Sequence, residues 1–230
     1  MPPLLYYAVT LLCVWGAWRA SAIPLEIVAG TLSTPGYSGD GAAATLATIN
    51  QPYSVATTYN SGTGAVRHYI ADKTNHRIRL VSVTGIITTI AGTGSPGFSG
   101  DDAAATAAEL NSPNDVAALY TALTDSVVLF IADTGNHRIR KIDTAGIITT
   151  IAGRISYGYG GDNVQATLSW LWSPSGVSAA YLGGSTTPTV YIADTGTHRV
   201  RVVNEAGIIT TLAGVAGDPG FVGEGTPSTS

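Results

Sequence analysis

The sequence predicts an all-β fold, a β-propeller of four-stranded antiparallel blades with about three complete blades present. Three observations point there. One ten-residue segment occurs three times, as IADKTNHRIR at 70–79, IADTGNHRIR at 131–140 and IADTGTHRVR at 192–201, so that Asp72, Asp133 and Asp194 stand 61 residues apart. A fixed period of this kind marks stacked supersecondary units, none of which can bury its faces alone. The chain also holds 28 Gly and 11 Pro, which means frequent turns and no long helices. Finally, each unit parses into four short strands, and four-stranded units arrayed around an axis make propeller blades.

The middle unit shows the parse. Residues 112–117 (SPNDVA) predict a first strand with a proline at its entry, where the missing N–H matters least. A polar, variable connection follows at 118–126. Residues 127–132 (VVLFIA) are apolar on both faces, as a buried strand should be. Asp133, Thr134, Gly135 and Asn136 are turn residues: an Asx side chain caps local amides, and Gly or Asn accepts positive φ. Residues 137–142 then return as a third strand. Thr144, Ala145 and Gly146 make a second tight turn, and IITTIA at 147–152 is a fourth strand, β-branched at almost every position. The connectors between units repeat as well: GTLSTPGYSGDGAAATLATINQP, GTGSPGFSGDDAAATAAELNSP and GRISYGYGGDNVQATLSWLWSP. Each carries an aromatic two or three residues before Gly-Asp, then an Ala/Thr-rich stretch that predicts one helical turn, then an apolar residue before the proline.

These motifs, IAGTG, GFSGD, FIADTGNHRIRKID and GIITT, closely resemble the NHL repeat family, and the resemblance covers residues 27–214. It implies a six-bladed propeller and, for most members, a binding scaffold. Some relatives are enzymes, such as the peptidyl-hydroxyglycine lyases, and some intracellular ones bind RNA. The chain departs from the family pattern between first and second strands, where 57–67, 118–126 and 180–188 replace the usual short turn and differ from one another.

Complete blades are expected at about 53–92, 113–153 and 174–214. Residues 25–30 (LEIVAG) match the end of a fourth strand, and Pro219, Gly220, Phe221, Val222, Gly223 and Glu224 begin a further connector. Three blades do not close a ring of 4–8. The expectation is therefore part of a six-bladed propeller, assembled with further blades or with a second chain.

The N-terminus reads as a separate element. Residues 4–18 (LLYYAVTLLCVWGAW) are apolar and uncharged, and Arg19 is followed by Ala20, Ser21 and Ala22, an A-x-A cleavage pattern. No Lys or Arg precedes the run, which departs from the usual signal. The run is short for a membrane span of about 20 residues. Residues 1–22 are read as a signal peptide, and 23–230 as the propeller of an extracellular protein. The alternative is a chain anchored to a membrane by an uncleaved segment. Cys13, the only cysteine, lies in that segment, so the mature chain would have neither disulfides nor Cys-ligated zinc. A net charge of −4 argues against nucleic acid as a partner.

The repeat also bears on the candidate chemistry. Asp72, His76 and Arg77, with Asp133, His137 and Arg138, and Asp194, His198 and Arg199, crowd polar groups into one turn. A catalytic site needs a single asymmetric set, however, and this one recurs in every blade. It is read as a structural motif in which Asp caps the turn and Arg pairs with Asp or a carbonyl. Asp40, Asp101 and Asp162 in the connectors are read as Asx turns, because calcium wants 6–8 oxygens. Nucleophile-elbow, P-loop and zincin patterns are absent. No cofactor, metal or catalytic residue is assigned. The candidate ligand surface is Tyr59, Arg67, His68, Tyr120, Trp170, Trp172 and Tyr181, of which His68, Trp170 and Trp172 are unrepeated, and the ligand class is protein or glycan. The competing reading is a lyase- or lactonase-like propeller enzyme with a central metal. It would need acids or histidines on the first strands QPYSVA, SPNDVA and SPSGVS, which offer only Asp115.

Overall fold

The computed structural model describes residues 26–31, 35–121 and 124–215. Residues 1–22, read above as a signal peptide, Leu25 and the connector beginning at Pro219 lie outside them. The described chain is all-β, built as three antiparallel sheets. The first sheet holds β1 (Pro52–Asn60), β2 (Ala65–Asp72), β3 (Arg77–Val81) and β4 (Ile87–Ala91), hydrogen-bonded in that order. The second comprises β5 (Ala103–Ala104), β6 (Asp115–Thr121), β7 (Ser126–Asp133), β8 (Arg138–Ile142) and β9 (Ile147–Ala152). The third comprises β10 (Val164–Gln165), β11 (Gly176–Ala180), β12 (Thr189–Asp194), β13 (Arg199–Val203) and β14 (Ile208–Ala213).

The strand orders are β5-β9-β8-β7-β6 and β10-β14-β13-β12-β11, so two sheets have five strands, not four. The extra strand is supplied by the connector, whose residues 103–104 and 164–165 pair with the outer strands β9 and β14. An isolated bridge from Ala43 to Ile86 holds the same place in the first sheet. The helical turn expected in the Ala-rich stretch is a single 3-10 turn at Ala44–Leu46, Ala105–Ala107 and Ala166–Leu168.

Two further expectations need correction. The segments 57–67 and 118–126 are largely strand, because ladder pairs such as Thr57 with His68 and Leu119 with Val128 extend the hairpins. Alternating half-buried residues there can pack against the neighbouring hairpin, which favours pairing over an open loop. Only the third segment remains a long loop, between Ala180 and Thr189. The third strands begin at Arg77, Arg138 and Arg199, one residue later than expected. Each preceding histidine ends a 3-10 turn in the left-handed region, at φ 53, 56 and 57°. The positive φ thus falls on His rather than on Gly135 or Asn136. Histidine is among the few non-glycine residues that populate this region readily.

Cores lie between sheets. Tyr69, Ala71, Ile78 and Ala91 of the first sheet pack on Val116, Leu129, Ile131, Ile142 and Ile148 of the second, with connector residues Ala105, Ala108 and Leu110 closing the gap. The same arrangement joins the second and third sheets through Phe130, Ala132, Ile139 and Ala152. In each sheet a register shift falls just before the buried arginine of the third strand, at Ile78/Arg79, Ile139/Arg140 and Val200/Arg201. Such bulges re-aim a side chain.

Candidate functional site

The repeated turn is a lock between a sheet and its connector. In the second sheet Asp133 is fully buried, and its Oδ1 accepts the amide of Asn111 at 2.7 Å. Its Oδ2 accepts Asn136 Nδ2 at 2.7 Å, and the same amide nitrogen donates to the Gly97 carbonyl of the connector. Asp133 therefore grips the end of the incoming connector and braces its own turn through the Asn136 side chain, without capping a backbone amide of that turn. Burial is the main influence on its carboxyl and pushes its pKa up to about 6. Asp72 and Asp194 are raised for the same reason.

The guanidinium that meets this carboxylate belongs to Arg140, not to Arg138. Arg140 is wholly buried and donates Nη1 to Asp133 at 3.4 Å and Nη2 to Asp101 at 2.9 Å. Thr150 Oγ1 donates to the other oxygen of Asp101 at 2.7 Å. The Asx-turn reading of Asp40, Asp101 and Asp162 is thus replaced, since these carboxylates hold Arg79, Arg140 and Arg201. Arg138 does take a carbonyl, that of Asn136 at 3.1 Å, and lies 3.6 Å from the centroid of Phe98. Arg77 and Arg199 lie over Tyr37 and Tyr159 at 3.6 and 3.9 Å. The second arginine of each pair, at 4.8–4.9 Å, is within cation–π range of the same ring. The available signal was a constant spacing of 39 residues from connector Asp to buried Arg.

His76 and His137 carry the link onward. Each Nδ1 accepts the amide of the residue before the next proline, Ser112 and Ser173, at 3.0 Å. Those serines sit at φ 50°, although a residue before proline is normally extended. Burial lowers the pKa of both imidazoles, which keeps them neutral and able to accept. Among the described residues, His198 makes no equivalent bond. The third set differs at the turn as well. Thr197 replaces the asparagine and donates to Asp194 at 2.6 Å, leaving Arg201 Nη1 3.8 Å away and without a hydrogen-bond partner.

The proposed ligand surface divides. Arg67 and Tyr120 are not free: Asp125 accepts both Arg67 nitrogens at 2.9–3.1 Å and the Tyr120 hydroxyl at 3.0 Å, tying the first hairpin to the second. The Arg67 guanidinium holds the Asp125 carboxyl well below the usual carboxylate range. His68 is half-buried and bonded to Thr57 Oγ1. Tyr59, Trp170, Trp172 and Tyr181 are exposed.

Asp115, the one acid on the first strands, bridges all three of them. It accepts the Ser54 hydroxyl on one side and the amide of Val177 at 2.8 Å on the other. Among the described residues, no three His, Cys, Asp or Glu side chains are grouped to hold a metal ion.

The class these features define is an all-β repeat chain of antiparallel sheets, each clasped to its connector by an aspartate–arginine–aspartate ladder. No family model matches the chain, and no curated protein matches it. Solved structures do resemble it. An auxiliary nutrient binding protein from Bacteroides ovatus matches with a TM-score of 0.49 at 21% identity, over 73% of this chain and 50% of that one. A related nutrient binding protein from Bacteroides thetaiotaomicron gives 0.48 at 18%, over 67% and 36%. Virginiamycin B lyase from Staphylococcus aureus gives 0.39 at 15%, over 70% and 40%. The chain spans half or less of the length of these three proteins.

Proposed function

We propose that this chain is a non-catalytic binding scaffold of the NHL-repeat type, whose sheets are three blades of a six-bladed propeller exported from the cell. The observation that carries the reading is where the ionisable groups of the repeat go. Asp72, Asp133 and Asp194 face their connectors. Arg79, Arg140 and Arg201 are buried against carboxylates, and His76 and His137 accept backbone amides. Groups consumed in this way hold the fold and are poorly placed to turn over a substrate. Side chains that differ between repeats, by contrast, are exposed: Trp172 at 44% and Leu182 at 45%. Conserved backbone geometry beneath divergent exposed side chains is the arrangement a recognition surface needs.

The ligand class under this reading is a protein or glycan outside the cell. Replacing the loop 181–188 by the short turn 61–64 should change the set of proteins and glycans retained from extracellular medium, with the melting temperature little altered. An unchanged set would remove that loop from the binding surface. N-terminal sequencing of chain recovered from the medium should begin at Ile23; chain found only inside the cell would count against export.

A further inference from the structure

The third connector breaks the repeat in one direction, toward exposed apolar and aromatic side chains. At positions where the second connector has Gly94, Pro96, Ala107, Glu109 and Asn111, the third has Ile155, Tyr157, Leu168, Trp170 and Trp172, and of these only Leu168 has a counterpart in the first connector, the exposed Leu46. All five are exposed, from 41% for Trp170 to 82% for Ile155. Packing on this connector does not require them, because the second connector makes the same bridge with smaller residues: Pro96 pairs with Leu110 as Tyr157 pairs with Leu171. The backbone holds the rings together. Gly158 donates to the Leu171 carbonyl at 3.3 Å, so residues 157–158 run alongside 170–172. The rings of Tyr157 and Trp172 lie 5.5 Å apart, and Tyr157 lies 5.2 Å from His137 of the second sheet. Gly196 gives Trp172 its place, since a Cβ there would come within 2.4 Å of the indole.

Charge changes with shape. Residues 92–112 carry Asp101, paired with Arg140, together with Asp102 and Glu109 and no cation; residues 153–173 carry Asp162, paired with Arg201, and the exposed Arg154. The geometry points to a protein-docking patch at the junction of the second and third sheets, for a segment with apolar side chains flanked by carboxylates. This rests on the binding-scaffold reading and places the contact on the connector end, away from the first hairpins. Trp, Tyr and Arg are the residues that dominate protein interfaces. The exposed aliphatics Ile155 and Leu168 suit a peptide, and interplanar angles of 39° and 50° offer no flat platform for a sugar chain. In a chain of net charge −4, a connector without surplus negative charge is the place where an acidic segment meets least repulsion.

The test selects displayed random peptides on the immobilised chain. A selected peptide is then titrated against a variant carrying Tyr157→Pro, Trp170→Glu and Trp172→Asn, which are the second connector's own residues. The expected result is peptides with Asp or Glu beside apolar residues, whose affinity falls at least about tenfold in the variant. Arg154→Glu alone, at an exposed position that leaves the fold intact, should weaken the same peptides and reduce the salt dependence of binding. Peptides that bind both triple and single variants equally would overturn the patch while leaving the scaffold reading in place. Failure to select any acidic peptide would also overturn it, as would glycan-array binding lost in the triple variant, which would make the occupant a sugar.

Discussion

Asp133 and Arg140 set the energetics of the repeat at the scale of single residues. Both side chains are fully buried, and removing one partner of a buried pair leaves an uncompensated charge. Asp133→Ala should therefore cost about 3 kcal/mol in urea unfolding. Asp194→Ala should cost less, because Arg201 Nη1 already stands 3.8 Å from its carboxylate. A parent-like unfolding midpoint for Asp133→Ala would return the turn to the set of candidate sites. The pH dependence carries a sign that can be checked. Burial raises the folded pKa of Asp133 to about 6, above about 3.9 for an unfolded aspartate, so the folded state holds the proton more tightly. The stability this group contributes is fully present below about pH 4 and is lost as pH rises through about 6. Unfolding curves between pH 4 and 7 should show that decline in the parent, and a smaller one in Asp133→Asn. The remainder comes from Asp72 and Asp194, raised in the same direction. Equal slopes in the two proteins would mean that Asp133 is not the titrating group.

At the scale of elements, the exit from each outer strand is as fixed as the turn it passes. Gly153 follows β9 at φ 89°, and a Cβ there would lie 2.2 Å from the His137 carbonyl oxygen. Gly92 and Gly214 meet the carbonyls of His76 and His198 at the same distance. Gly153→Ala meets both a left-handed backbone and a steric clash, and should destabilise by about 1–3 kcal/mol, read from the urea midpoint. A change below a few tenths would show that the connector can move aside. Strand content, the period and the position of the turns were legible in the sequence because they are local: β-branched runs, Asx-Gly turns and a 61-residue step. What was not legible is what crosses between distant segments. Arg138 and Arg140 look alike in the string and share the ring of Phe98, yet across the bulge at Ile139/Arg140 only the second meets Asp101 and Asp133. The residues 103–104 read as part of the Ala-rich connector with its helical turn, because two residues carry no strand periodicity, yet they add an edge strand to β9. Arg67 and Tyr120 sit beside the variable segments, and nothing in the string shows that Asp125, 58 residues after Arg67, engages both.

For the whole molecule, the three sheets are chemically alike but not equally covered. The second sheet is packed on both faces, by the first sheet on one side and by the third on the other. On the third sheet, the residues that match the first two sheets' buried layer are more open: Val200 is 38% exposed, where Ile78 and Ile139 are 0%. Ala193 is exposed, where Ala71 and Ala132 are buried. In a repeat array, stability is a sum of unit terms and nearest-neighbour terms, so a side chain contributes according to the neighbour it has. Ile139→Ala removes packing from a closed interface and should cost about 2–5 kcal/mol. Val200→Ala at the corresponding position should cost within about 0.5 kcal/mol, as surface substitutions do. The comparison also tests the proposed six-bladed ring. If the third sheet meets a further sheet in solution, Val200 gains the neighbour that Ile139 has, and its truncation should become costly in proportion. Measured on the same preparation by urea unfolding, a small Val200→Ala effect describes an open array of three sheets. A large one describes an array whose third sheet is covered as the first two are.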